Sequence, residues 1–373
     1  MKKNNKTFYK ICTFAAVAAM SATVFTGCGK KKEEVATTTE AAAEPTINVS
    51  PVAAMESPSD VNVIYKEGMV LSELSGEWID ESLRTQKPLC IMINNIIDAM
   101  PQSGISKADI TYEFLVESGI TRLMCVFKDY ATGIDKLGPV RSSRHYYAQV
   151  AEQLEGIYAH FGWSAVAEEY IKSRPGYENL NGLELEGSVY YRDNSRVAPH
   201  NVYTDSEKIM LGIEKKGYNL NHSDSFHYNN FKFNTKDTAL GTGNVANKVT
   251  TVFHSARKPW FEYNSEDGRY YRYQYDTAHI DAETGEQLSY KNIIVMYAAY
   301  QNVGDTILLD VIWNEGGSGY YITDGEYEPI TWSWTGEGIQ YKTADGKTLK
   351  MNPGNTYISV LNSRDSQCET IFE

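Results

Sequence analysis

The hydrophobic pattern divides the chain into four stretches. Ile11 to Phe25 is largely apolar behind Lys2, Lys3, Lys6 and Lys10; from Gly29 to about Val61 large apolar residues nearly vanish among Lys, Glu, Thr, Ala, Pro and Ser. Strand and helix signals then mix to about Phe233. PLCIMIN (88–94) and TRLMCVF (121–127) are short apolar runs that predict buried strands, and ADITYEFLVE (108–117) between them fits a strand or a helix. SSRHYYAQVAEQLEG (142–156) carries apolar residues at helical spacing and stops at Gly156, after which IYAHFGW reads as a strand. Ser164 opens a helix through AVAEEYIKS, closed by Arg174 and Pro175; Thr204 with Glu207 makes a capping box ahead of KIMLGIEKKG, with Gly217 as its stop. Beyond about residue 235 the signals become aromatic-rich strands and Gly turns. Tyr271, Tyr273 and Tyr275 alternate with Arg272 and Gln274, and Asp-Gly pairs at 267–268, 324–325 and 345–346 mark hairpins. The expected fold is α+β: a layered α/β domain over 62–235 followed by a mostly antiparallel β domain over 236–373.

Charge narrows the partners. Of 373 residues, 42% are hydrophobic and 22% charged, which excludes a wholly disordered chain. A formal charge of -13 argues against nucleic acid, whose phosphates call for clustered Lys and Arg. Five Cys are too few for a disulfide scaffold. The basic N-terminus with its short apolar run reads as an export signal over 1–27. It ends in TVFTGC, where Gly27 and Cys28 resemble the lipobox of bacterial lipoproteins, with Phe25 departing from the usual small aliphatic residue. That resemblance implies diacylation of Cys28 as the first mature residue. Two acyl chains anchor stably where one is marginal, so the membrane is the first expected partner, at the outer face of the cytoplasmic membrane. Residues 28–61 form a tether with an r.m.s. reach of roughly 30 Å. Without residues 1–27, which hold four Lys and no acid, the charge is -17.

Three segments place polar groups beside apolar runs. In TYEFLVESGITR, Glu113 and Glu117 are four apart, a spacing that puts them on one face of a strand or a helix. Two such carboxylates suit an acid and a base, as in glycoside hydrolysis, or they pair with Arg122. In KLGPVRSSRHYY, Arg141, Ser142, Ser143, Arg144 and His145 enter a helix after a Gly138–Pro139 turn. Helix starts and guanidinium groups attract carboxylate or phosphate; the alternative is that Arg141 and Arg144 pair with Glu113 and Glu117. In YYRDNSRVAPHNVY, Arg192, Asp193, Arg196, His200 and Asn201 share a loop, and His160 ends a strand where α/β domains tend to place sites. Both His160 and His200 suit proton transfer near neutral pH. Ser142 or Ser143 with His200 is a triad-like alternative without GxSxG. HExxH, EF-hand spacing, paired CxxC, P-loop and dinucleotide fingerprints do not occur, so no metal and no cofactor is expected; His222, Asp224 and His227 read as a polar loop. Cys90 and Cys125 read as buried thiols, with a disulfide between them open if their strands are neighbours.

The segments PLCIMINN, MPQSGISKADITYEFLVESGITR, LGPVRSSR, HFGWS, YYRD and APHN, followed by YKNIIVMY and NPGNTYI, resemble the YerB-like lipoprotein family of Gram-positive bacteria from about residue 75 onward. The resemblance implies a secreted, lipid-anchored, two-domain protein and supplies no catalytic residue. Two functions compete. One is a cell-wall hydrolase using Glu113 or Glu117 with His160 or His200. The other, favoured because no tight catalytic signature occurs, is a receptor or assembly factor. Its arginines hold an anionic cell-wall component through Arg122, Arg141, Ser142, Arg144, Arg192 and Asn201, and its β domain contacts an envelope protein. A glutamate and a histidine converging in an open pocket would favour hydrolysis. Glutamates lying against the arginines without a cavity would favour binding or structure.

Overall fold

Apolar runs too short for a core helix become central strands, because a strand covered on both faces needs no polar alternation. Leu89–Asn94, Ile110–Leu115 and Thr121–Phe127 are buried at every position, and Thr121–Phe127 pairs antiparallel with both of the others. The computed structural model describes residues 66–373 apart from 229 and 337, so the export signal, Cys28 and the tether lie outside the described residues.

The chain is mostly β. A mixed sheet of ten strands runs in the order Gly338–Thr343, Glu326–Thr335, Gly317–Thr323, Asn292–Ala298, Thr356–Asn362, Ile110–Leu115, Thr121–Phe127, Leu89–Asn94, Ile157–His160 and Asn179–Asn181. The two halves of the sequence meet inside it: Thr356–Asn362 lies parallel to Ile110–Leu115, from Thr356 opposite Ile110 to Val360 opposite Phe114. Of the α/β alternation expected over the first half, one plain β-α-β unit stands, made of Ile157–His160, the helix Ala165–Lys172 and Asn179–Asn181. Ile110–Leu115 and Thr121–Phe127 are separated by residues 116–120 alone, too short a link for a crossover helix, so they pair antiparallel.

Most local punctuation acts as read. The Ser164 hydroxyl accepts from Ala167 N, and Gly217 ends its helix at a φ of 66°. The cap of Ser206–Lys216 is Asp205 instead of Thr204: Asp205 accepts from Lys208 N at 2.9 Å, while Thr204 is buried and donates to Val189 O at 2.8 Å. Asp324 and Gly325 both have positive φ, 50° and 78°, as a two-residue hairpin of the tightest type requires.

A second sheet joins Thr277–Ala278, Arg269–Gln274, Trp260–Asn264, Lys248–Val252 and Glu369–Phe372, with Ser289–Tyr290 against Arg269–Gln274. The period of two in Arg269–Gln274 holds. Tyr270, Arg272 and Gln274 are buried, whereas Tyr271 and Tyr273 are half-exposed. Tyr273 stacks on Trp260 across the strand pair at 5.1 Å and 5°.

Cys90 stands opposite Val126 and Cys125 opposite Ile91, one residue out of step, so the two thiols point to opposite faces and cannot bond. Cys90, Cys125 and Cys368 are free thiols, and burial pushes Cys125 up to about 12.

Asp109 introduces the Ile110–Leu115 strand, accepting from Lys128 N at 2.7 Å. Burial, with Glu77 and Glu73 nearby, raises its carboxyl to about 6. A carboxyl raised above its ordinary 3.8 favours folding only when protonated, so it costs stability increasingly between pH 3.8 and about 6 and fully above that. Asp109→Asn keeps an acceptor for Lys128 N. It is expected to raise Tm by ~2–4 °C at pH 7.5 and leave it unchanged near pH 3.5, as thermal unfolding at the two pH values would measure.

Candidate functional site

The parallel strands Leu89–Asn94 and Ile157–His160 end side by side, and residues 139–143 are laid across those ends. Asn94 N donates to Pro139 O at 2.9 Å, Arg141 N to Met92 O at 3.0 Å, Phe161 N to Arg141 O at 3.0 Å and Ser143 N to Gly162 O at 2.9 Å. Arg141 is therefore fixed beyond the carboxyl ends of parallel strands, where open α/β sheets hold ligands. The chain then enters the helix His145–Gln153 with Arg144 at its cap and no side chain closing the helix start.

Glu117 takes Nε and one terminal N–H of Arg144 at 2.6 Å each. Burial alone would raise its carboxyl, but the hydrogen bonds and charge of Arg144 outweigh burial and hold it below its ordinary value. Arg122, buried, donates to the Ser142 carbonyl. Burial, then the charges of Arg144 and Arg141, bring Arg122 down to about 10, and burial with Arg144 lowers Arg141 too. Arg144 and Arg122 thus act on the carboxylate of Glu117, while Arg141 acts on Arg122 and is itself acted on by Arg144. Arg144 takes that carboxylate; among the described residues the Arg141 side chain has no hydrogen-bond partner, and its Nε is buried.

Glu113 and Glu117 do not share a face. The strand stops at Leu115, and Ser118 turns the chain at a left-handed φ of 63°, so strand alternation does not carry through to Glu117. Glu113 is fully buried and accepts from Asn95 Nδ2 (2.9 Å), Thr121 Oγ1 (2.6 Å), Tyr357 OH (2.6 Å) and Arg272 (3.0 Å). Arg272 is as deeply buried and donates to His279 Nδ1 at 2.5 Å; His279 Nε2 in turn meets Gln102 Oε1 at 2.6 Å. Glu113 therefore ties the second sheet to the first and has no surface exposed to solvent.

The two candidate histidines separate as clearly. His160 is fully buried between Gly162 O (2.8 Å from Nδ1) and Asn179 Oδ1 (3.3 Å from Nε2), and burial lowers it to about 4. His200 lines an open groove of about 830 Å³ with Asp98, Met100, Lys136, Asp193 and Arg196 among its neighbours; neither glutamate lines it. Its Nδ1 lies 2.6 Å from Asn94 Nδ2. Burial, then the charge of Arg141, lowers His200, with Asp98 opposing and Arg196 assisting. Lys136 pairs with Asp193 at 2.6 Å, and Arg196 donates to Pro101 O (2.8 Å) and Met100 O (2.9 Å). Arg192 donates to Asn201 Oδ1 at 3.1 Å and to Glu186 at 2.6 Å, a separate pair on the same loop. Ser143 Oγ is taken by Tyr158 OH at 2.8 Å, and no hydrogen bond joins Ser142 or Ser143 to His200. His222 sits on Glu155 at 2.9 Å and stacks on Phe226; among the described residues no three His, Cys, Asp or Glu gather as metal ligands. Asn94 and Arg272 escaped the sequence reading. The Asn pair closing PLCIMINN was a usable signal for the first; an Arg among tyrosines was none for the second.

Residues 74–219 match the N-terminal domain, and 249–358 the C-terminal domain, of a family described as protein of unknown function, DUF3048. This chain belongs to the DUF3048 family. Bacillus subtilis YerB, which carries the provisional name of a lipoprotein, is 30% identical over 304 residues, covering 79% of this chain and 86% of that protein. The crystal structure of Bacillus subtilis YerB superposes with a TM-score of 0.72 at 27% identity, covering 81% of this chain and 99% of that one. The arginine cluster and the His200 groove fall almost wholly within the first DUF3048 segment, and both Arg272 and Tyr357 within the second. No helix among the described residues is long and apolar enough to cross a membrane.

Proposed function

We propose that this DUF3048 protein is a lipid-anchored receptor at the outer face of the cytoplasmic membrane, held through Cys28, that binds an anionic cell-envelope component at Arg122, Arg141 and Arg144. Ser142 contributes the helix entry, and Arg192 with Asn201 the loop beside it. The observation that carries this reading is the charge imbalance: three guanidinium groups act on one another, Glu117 meets only Arg144 and Arg122, and Arg141 stands unpartnered beyond the ends of parallel strands. Holding like charges together in a partly buried site is unfavourable, and an arriving anion relieves it. Hydrolysis has less support, because both candidate glutamates are already bound to arginines and neither reaches the groove where His200 lies.

The test is incubation of the protein with isolated wall material, with bound and released products both measured. Arg141→Ala is expected to weaken retention at least tenfold, equivalent to ~1.4 kcal/mol, while Glu117→Gln, which removes a competing negative charge, retains as well as the parent or better. Soluble wall fragments released by the parent protein and lost in Glu113→Gln would overturn the receptor reading.

A further inference from the structure

Resting on that reading, we infer that the anion is a phosphodiester of a polyol- or sugar-phosphate polymer, seated between Arg141 and His200 at the edge of the groove that His200 lines, and that His200 takes up one proton from solvent as it binds. Asn94 makes the juxtaposition. Its side chain holds His200 at 2.6 Å, and its main chain bonds Pro139, two residues before Arg141. The imidazole and the main chain leading to Arg141 are therefore held by the same residue at the end of the same strand.

The charged groups acting on His200 are Arg141 and Arg196 on one side of the balance and Asp98 on the other. Burial first, then two cations against one carboxylate, favour the neutral form of the free imidazole. An anion beside it evens that balance and so favours the protonated imidazole. Asn94 suits both protonation states, because its amide offers N–H to a neutral Nδ1 and, turned over, its oxygen to a protonated one. No other group need move.

The groove favours a phosphodiester chain over other anions. A phosphodiester keeps a single charge near neutral pH and offers two free oxygens, one for a guanidinium and one for an imidazolium, from a link within the chain itself, so that the polymer runs on along the groove, whereas a carboxylate hangs from the side of its polymer. Beyond His200 the charges are already satisfied, Lys136 by Asp193 and Arg196 by the carbonyls of Pro101 and Met100. That stretch is polar and nearly neutral, fit for the hydroxyls between phosphates.

The experiment is calorimetric titration of the full chain in nonionic detergent micelles with poly(glycerol phosphate), in two buffers of different ionisation heat. Proton uptake on binding is expected at pH 7. A group whose pKa rises in the complex strengthens binding below its bound value and loses that contribution as pH rises through it, so affinity should fall up to ~10-fold per pH unit across the titration of His200. His200→Gln, which retains a partner for Asn94, is expected to bind more weakly, without proton uptake and without pH dependence; Arg141→Ala should lose at least tenfold. Unchanged proton uptake in His200→Gln overturns the inference, as does equal binding of the carboxylate polymer polygalacturonate. So does retention on phosphatidylglycerol vesicles without binding of the soluble polymer. Binding of polyanions with no proton uptake overturns this inference alone, whereas failure of the parent protein to bind any polyanion overturns the receptor reading beneath it.

Discussion

Replacing Arg272 with methionine is expected to destabilise the folded protein by roughly 3–5 kcal/mol, the loss usual when one member of a buried ion pair is removed. Arg272 and Glu113 are both fully buried, so neither charge has water to fall back on. Three neutral donors on Glu113, from Asn95, Thr121 and Tyr357, survive the substitution, but they cannot neutralise a carboxylate. Arg272 also lies over the Tyr357 ring at 5.0 Å and supports His279, so its loss loosens the packing of the second sheet on the first. A second substitution separates the ion pair from the packing. In a Glu113→Gln background, Arg272→Met should cost markedly less, because the stranded charge is gone, and chemical denaturation of the four proteins in this cycle gives the coupling directly. Equal cost in both backgrounds would mean that Arg272 acts through its rings and contacts and that its charge is incidental. The same cycle bears on function. A glutamate that serves as the counter-ion of a core arginine is removed with loss of stability, whereas a catalytic one is often removed without it.

How far the sequence could be read depended on whether the deciding contact was local. PLCIMIN, TRLMCVF and the Ser164 helix carry their own signals, a compact apolar run or a cap followed by an amphipathic turn, and all three stand where those signals put them. Cap choice at Thr204 went astray because Thr204 is drawn inward by Val189, fifteen residues back, leaving the capping to Asp205. Glu113 and Glu117 were legible as a pair of acids beside arginines and illegible as to which arginine each would meet. Glu117 finds Arg144, 27 residues on, while Glu113 finds Arg272 from the other half of the chain, 159 residues away. Periodicity reports which residues share a face only while the element lasts, and the turn at Ser118 ends it. The orientation of Arg269–Gln274 was hidden for the same reason: its alternation is visible, but hydropathy would turn the tyrosines inward. What buries Arg272 and Gln274 is a set of partners on distant strands, Glu113, His279 and Asn95. At the candidate site the arginines and His200 could be named from their segments; that Asn94 braces one and adjoins the other required the parallel pairing of Leu89–Asn94 with Ile157–His160.

Gly319→Val should cost roughly 3 kcal/mol or more, at the upper end for overpacking, although nothing in the local sequence distinguishes this glycine from the turn glycines around it. Gly317 and Gly319 lie inside the strand Gly317–Thr323, between Asn292–Ala298 and Glu326–Thr335. A Cβ on Gly319 would overlap the Val295 carbonyl oxygen, and one on Gly317 the Tyr297 carbonyl oxygen, so the two glycines, two apart and on one face, let neighbouring backbones approach. A flexible side chain can swing away from such an overlap; a backbone carbonyl in the middle of a ten-stranded sheet cannot move without breaking the ladder on its other side, where Asn292–Ala298 pairs with Thr356–Asn362. That second ladder is the one that passes the sheet on to Ile110–Leu115 and so to the strands beneath the arginine cluster. The loss should therefore appear as a lower urea midpoint for the whole sheet, tracked equally by tryptophan fluorescence and by far-ultraviolet dichroism. Gly336→Ala, at a position with nothing within 4 Å of the added carbon, should change the stability read from that midpoint by no more than ~0.5 kcal/mol. A Gly319→Val protein as stable as the parent would mean that the two strands part locally to admit the side chain, and the sheet's continuity between the halves would not rest on this close approach.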